Sequence, residues 1–282
     1  MLQKTSQPKS AFTWSNNEAA AMLRPVMPDF YFVNTPTAHM QRHLELLLQL
    51  QHGDVTLDFH RHPGARLTEL TLCAFDEMRP GLLSKVCGTL TALGIEVRTA
   101  LIYTLRTLEQ NAAQSNDTKK PMRWVALDTL LLSDPYHGRE RALTPKAIER
   151  TRTALLRVIQ GETSVAQLLT KMRRHMSAPV NIYDLTVVNR DMGPTLGVCT
   201  AISLRSADMT GLLYRTTGAL AALEMNIQVA QINSENGVAE DLFFVTDARG
   251  AAWPDNDLDG LANQLRSMLQ SGAMPAVLAG SD

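Results

Sequence analysis

No run of apolar residues in this 282-residue chain approaches the roughly 20 needed to cross a bilayer, which excludes a membrane-spanning helix. The N-terminal stretch MLQKTSQPKSAFTWSNNEAAAM lacks the continuous apolar core of a secretory signal. Cysteine is scarce: Cys73, Cys87 and Cys199 lie far apart, with no CxxC spacing. An odd count inside apolar segments argues against a disulfide framework and fits buried thiols in a reducing compartment. Neither charge is in surplus, since 27 basic and 28 acidic side chains leave a formal net charge of −1. That balance argues against a nucleic-acid binder held by a basic, phosphate-seeking face. These absences predict a cytoplasmic globular protein that engages neither nucleic acid nor membrane.

What the chain does have is a repeat. EMRPGLLSKV (77–86) and DMTGLLYRTT (208–217) each read as a strand end, a glycine turn and a helix opening on Leu-Leu. Gly81 and Gly211 are 130 residues apart, as are Leu93 and Leu223, Ala100 and Ala230, and Ile102 and Ile232. Further on, ALDTLLLSD (126–134) matches AEDLFFVTD (239–247), with Asp128 over Asp241. The offset there has fallen from 130 to 113, so the first copy carries 17 more residues between its matched strands. They surround NAAQSNDTKKP (111–121), polar, aperiodic and ending in proline, the marks of an exposed loop. The second copy turns the same corner through Asn236-Gly237, a strong hairpin signal.

Each copy parses alike. A strand (67–75; 198–206) leads through the turn into a helix (81–93; 211–223). A second strand (95–105; 226–234) is joined by the hairpin to a third (123–133; 239–246), and a helix follows (144–159; 258–270). In the first of these last helices Ile148, Leu155, Leu156 and Ile159 recur at helical spacing. A fourth strand is expected to close each unit: VNIYDLTVV (180–188) in the first, AMPAVLA (273–279) in the second. The order β-α-β-β-α-β packs two helices on one face of an antiparallel sheet. The expected organisation is a disordered tail over 1–28, a short helical lead-in over 29–65, a first domain over 66–190 with an inserted hairpin loop at 106–122, and a second domain over 198–282. The fold class is α+β, two ferredoxin-like units with antiparallel sheets.

With RPGLL (79–83), TALIYT (99–104) and ALDTLLLSD in one copy, and TGLLY (210–214), VAQINS (229–234) and AEDLFFVTD in the other, the pair resembles tandem ACT domains. More narrowly it resembles the ACT region of the bifunctional uridylyltransferase/uridylyl-removing enzymes that modify the PII nitrogen-signalling protein. The segment FYFVNTPTAHMQRHLELL (30–47) resembles the lead-in to that region. The catalytic motifs of that family have no counterpart. Its Gly-Ser with a spaced Asp-x-Asp is reduced to a Gly-Ser at 280–281, and no His-Asp pair occurs. The resemblance therefore implies a non-catalytic sensor with no cofactor, signalling in nitrogen or amino-acid metabolism.

The turn explains how such a sensor holds its ligand. A helix that starts directly behind a glycine points unpaired N–H groups, and the positive end of its dipole, at a carboxylate. Glycine lets the backbone approach closely. A neighbouring acid can take the ligand's ammonium, so one loop can grip both charges of a free amino acid. The second copy ranks first: Asp208, Met209, Thr210, Gly211 and Leu212, with Asp208 as the acid. The first copy, Glu77, Met78, Arg79, Pro80, Gly81 and Leu82, has Met78 where the family usually has Asp. Gln231 and Asn233, on one face of the second strand, are further candidates, with a polar strand edge facing water as the alternative. The resemblance points to glutamine as the ligand.

Other readings stay open. A ligand-free pair could serve as an interaction or oligomerisation module, with a homodimer expected, or as a regulatory piece of a uridylyltransferase encoded elsewhere. A protein partner would read the sensor's state. His39 and His43 on one helix, or His60 and His62 on one strand, could ligate a metal. They lack an HExxH glutamate and a neighbouring cysteine, so no metal site is expected.

Overall fold

A computed structural model describes residues 15–50, 54–61, 64–76, 81–106, 124–135, 140–174 and 178–271. Three helices come first, α1 (Asn16–Leu23), α2 (Asp29–Asn34) and α3 (Thr37–Leu50). The first unit follows with β1 (Val55–His60), β2 (Thr68–Asp76), α4 (Leu82–Leu93), β3 (Glu96–Arg106), β4 (Trp124–Ser133) and α5 (Pro145–Ile159). A short α6 (Val165–Lys171) leads to the second unit: β5 (Ile182–Asp191), β6 (Val198–Ala207), α7 (Leu212–Ala222), β7 (Asn226–Glu235), β8 (Val238–Thr246) and α8 (Leu258–Gln270).

The eight strands form one antiparallel sheet in the order β1-β2-β4-β3-β7-β8-β6-β5. The fold is α+β, with two similar units side by side. Their junction is the β3–β7 ladder, in which Thr99 faces Asn233, Leu101 faces Gln231 and Tyr103 faces Val229. Leu101 and Gln231 occupy the same place in the two copies, so a local two-fold axis passes between them. The hairpin at Asn236-Gly237 has positive φ at both residues (52° and 78°), the conformation a two-residue hairpin turn requires.

Alternation along the strands divides the core. Leu70, Leu72, Ile102, Leu130, Ile202, Ile232 and Phe243 face α4, α5, α7 and α8. Cys73, Tyr103, Leu127, Cys199, Val229 and Phe244 face the other way, onto α1–α3. The lead-in thus covers a second face and touches both units: Tyr31 packs edge-on against Tyr103, and Phe30 against Phe244. His43 is buried there, one ring nitrogen 2.9 Å from the Tyr31 hydroxyl and the other 3.2 Å from Thr129 Oγ1. Burial holds its pKa down at about 3, so the imidazole is neutral and serves as a hydrogen-bonding strut. All three cysteines are buried and free. Among the described residues no helix is long and apolar enough to cross a membrane.

Three expectations are corrected. Residues 15–28 are not a tail: Ser15 and Glu18 form a reciprocal capping box that starts α1, and Ala19, Leu23 and Met27 are buried. Residues 1–14 lie outside the described residues. The strand expected to close the first unit, β5, pairs instead with β6 from Asp191↔Val198 onward. Its short connection, closed by Met192 N–H to Gly197 O (2.8 Å), makes this local hairpin entropically cheap. The outer edge of β2 is already occupied by β1, a strand within the stretch expected to be a helical lead-in. Each unit therefore runs β-β-α-β-β-α, with the preceding strand filling the fourth position. The other expected closing strand, 273–279, and the inserted segment 107–122 lie outside the described residues.

Candidate ligand-binding site

The turn of the second unit leaves β6 at Asp208, whose N–H donates to Gly237 O (2.9 Å) and ties it to the hairpin. Leu212 N–H closes the turn onto Met209 O (3.0 Å). Gly211, at φ 78° and ψ 10°, is the N-cap of α7, and no side chain caps that helix. The free end of α7 opens into a cleft of about 320 Å³ between the units. Asp208–Leu213, Ile232, Ser234 and Asp241 line one side; Cys87, Thr91 and Ile95–Arg98 of the first unit line the other. The predicted residues Asp208, Met209, Thr210, Gly211 and Leu212 are all brought together here.

Asp208 already carries a cationic partner. Arg98 Nη1 donates to its Oδ2 across the unit boundary at 3.3 Å, while Arg98 Nη2 lies 2.7 Å from Glu96. Arg98 Nε is 2.9 Å from Glu140, an ion-pair distance without hydrogen-bond alignment. One guanidinium thus joins three carboxylates at the mouth of the cleft. The floor holds a different acid: Asp241, buried, with Oδ1 lacking any hydrogen-bond partner. Burial, and then the charge of Asp208, push its pKa up to about 7, against the pull of the Asn233 backbone N–H.

The first unit repeats this plan. Gly81 (φ 132°, ψ −8°) is the N-cap of α4, again with no side-chain cap. Glu77, Met78, Arg79 and Pro80 lie outside the described residues. Gly81 and Leu82 face a smaller space of about 40 Å³, floored by Asp128 and walled by Thr217, Ala221 and Met225 of the second unit. Asp128 is buried with Oδ1 unpartnered, and burial followed by the charge of Asp76 raises its pKa well above the usual carboxylate range.

Gln231 and Asn233 do not join the turn. On β7 the residues that reach it are Ile232 and Ser234. Gln231 and Asn233 alternate to the other face and line an open groove of about 530 Å³ with Thr99, Ser203, Arg205 and Glu240. The sequence reading missed Asp241, Asp128, Arg98 and Glu96 as site residues. The signal for the two aspartates was present, a carboxylate at the same place in two apolar strands. The His39 and His43 rings lie edge to face with centroids 6.3 Å apart; His39 is 3.6 Å from Glu69, and His43 is bonded to Tyr31 and Thr129. His52 and His62 lie outside the described residues. No group of three or more potential metal ligands occurs among the described residues.

No family model matches the chain. The bifunctional uridylyltransferase/uridylyl-removing enzyme of Nitrobacter hamburgensis is 29% identical over 253 residues, covering 86% of this chain and 24% of that enzyme. The enzyme of the same name from Nitrobacter winogradskyi is 27% identical over 254 residues, with the same two shares. That of Bradyrhizobium sp. strain ORS 278 is 29% identical over 194 residues, 67% of this chain and 18% of the enzyme. The chain's homologues are bifunctional uridylyltransferase/uridylyl-removing enzymes. It spans about a quarter of the length of the first of them. Among solved structures, the regulatory subunit of aspartate kinase from Thermus thermophilus overlaps 77% of this chain and 98% of its own, at 12% identity and a TM-score of 0.19. A superposition that poor decides nothing; the fold rests on the strand order above.

Proposed function

We propose that the chain is a non-catalytic regulatory module that binds a free amino acid in the cleft between its two units. The observation that carries this reading is the pairing, in one cleft, of an uncapped helix end with a buried acid: complementary charges for an α-carboxylate and an α-ammonium. Glutamine is the favoured ligand, on the resemblance to enzymes of nitrogen signalling. A ligand touching both units binds one relative arrangement of them better than another, and so shifts the population toward it. In this reading the lead-in, which packs across both units on the opposite face, passes that shift to a protein partner, and the chain works as a cytoplasmic homodimer. The quarter-length match to the relatives favours a second reading within the same class, a regulatory piece serving a uridylyltransferase.

The test is a thermal-unfolding screen of the chain against the twenty amino acids. A ligand at 100 times its dissociation constant adds about 2.7 kcal/mol. At roughly 2–4 °C per kcal/mol, the midpoint should rise by about 5–10 °C. A flat response to all twenty sinks the amino-acid reading; co-purification with a nucleotidyltransferase supports the second one.

A further inference from the structure

We infer that Asp241, and not Asp208, is the residue that receives the cationic ammonium of the bound ligand. The inference rests on the reading of the cleft as an amino-acid site and assigns the specificity-determining residue within it.

Asp208 already has its cation. It accepts from Arg98 and is a quarter exposed, although it too lines the cleft. Asp241 is only 3% exposed, and its Oδ1 has no partner. In the register Asp241 stands opposite Leu204 on β6 and Ile232 on β7, neither with a polar side chain; the Asn233 backbone N–H serves the carboxylate, and Oδ1 is left without a donor. A buried carboxyl oxygen without a partner costs folding energy and marks a place where a donor is missing. The first unit repeats the anomaly, for Asp128 stands between Leu72 and Ile102, with its Oδ1 equally orphaned. The turns of the two copies have diverged, and the orphaned acids beneath them have not. A primary ammonium supplies three donors and a charge, which suits such an acceptor. Arg98 is the one cationic side chain lining the cleft among the described residues, and it is held by Glu96, Glu140 and Asp208.

The experiment is calorimetric titration of the whole chain with each of the twenty amino acids and, for each binder, with the same acid lacking its amino group. The parent is compared with Asp241→Asn, Asp241→Ala and Asp208→Asn, and unliganded unfolding midpoints are measured alongside. The expected result is at least a tenfold loss of affinity in both Asp241 variants, a smaller loss in Asp208→Asn, and no binding of the deaminated acid to the parent. Asp241→Asn should also unfold at a higher midpoint than the unliganded parent, a readout that needs no ligand. Undiminished binding to Asp241→Asn, or a lowered midpoint in it, overturns this assignment and leaves the amino-acid reading standing. Failure of all twenty to bind the parent overturns both.

Discussion

The two glycine turns stand on either side of one local two-fold axis, over the same buried acid, and against the same stretch of the opposite unit. What differs is the chemistry facing them. The second turn looks onto Glu96 and Arg98, and the cleft is propped by a cluster of ions with Asp208 and Glu140. At the equivalent places in the second unit stand Asn226, which lines the smaller space beside Gly81, and Gln228, which does not. Those two amides are turned inward, Asn226 Nδ2 to Asp247 O (3.3 Å) and Gln228 Nε2 to Thr246 Oγ1 (3.0 Å). Thr104 Oγ1 donates to Ile227 O (2.7 Å) and stitches the boundary shut. Neutral hydrogen bonds need close contact, whereas ion pairs hold across a mouth. The duplicated backbone therefore supplies two similar cradles, and side chains from the opposite unit set how much room each has.

The largest expected effect comes from the glycines themselves. Gly81, at φ 132°, lies outside even the left-handed region, while Gly211 at φ 78° lies within it. Gly81→Ala should cost about 1–3 kcal/mol in urea unfolding. Gly211→Asn should cost clearly less, because asparagine visits that region. Equal losses would mean that the two turns are not conformationally distinct.

Next in size is the pH dependence of the floor. The Asp241 carboxyl is raised to about 7, so the folded chain holds its proton more tightly than the unfolded chain does. The stability this contributes is fully present below the unfolded value near 4 and is lost as pH rises through about 7. Asp241→Asn should flatten that part of the stability–pH curve, and Asp128→Asn should do the same for the first unit. His43, held down at about 3, acts in the opposite sense: its contribution is present above about 6.5 and is lost as pH falls toward about 3. A parent curve with no slope between about pH 4 and 7 that the Asn variants change would remove the aspartates from this account.

The smallest effect belongs to the latch. Arg98 is about a quarter exposed, so Arg98→Gln should cost only about 1 kcal/mol. That difference should shrink in about 1 M salt, where screening is strong. A loss that salt does not touch would mean that Arg98 acts by packing.

Most of the fold could be read because it is written twice. Gly81 and Gly211, the 130-residue offset and the hairpin at Asn236-Gly237 locate the three matched strands and two helices of each copy to within a residue or two. The neighbours of β1 and β5 could not be read, since an alternating strand carries no mark of its partner. The helix α1 is legible as well, since Ser15 and Glu18 have the spacing of a capping box, though the short polar stretch around them reads as a tail. At the site, the turn was visible locally. The capture of Asp208 by Arg98 was not, because it joins residues 110 apart in the chain. The lack of a partner at Asp241 Oδ1 depends on which residues flank it in the sheet, and only the register reveals Leu204 and Ile232.

The ladder between Leu101 and Gln231 has a mechanical meaning. Two units joined edge to edge by main-chain hydrogen bonds cannot drift apart as beads on a flexible tether do. Any rearrangement must be a change of sheet twist about that seam. Heating should accordingly melt the whole chain as one body, giving a single calorimetric peak in which neither half outlives the other.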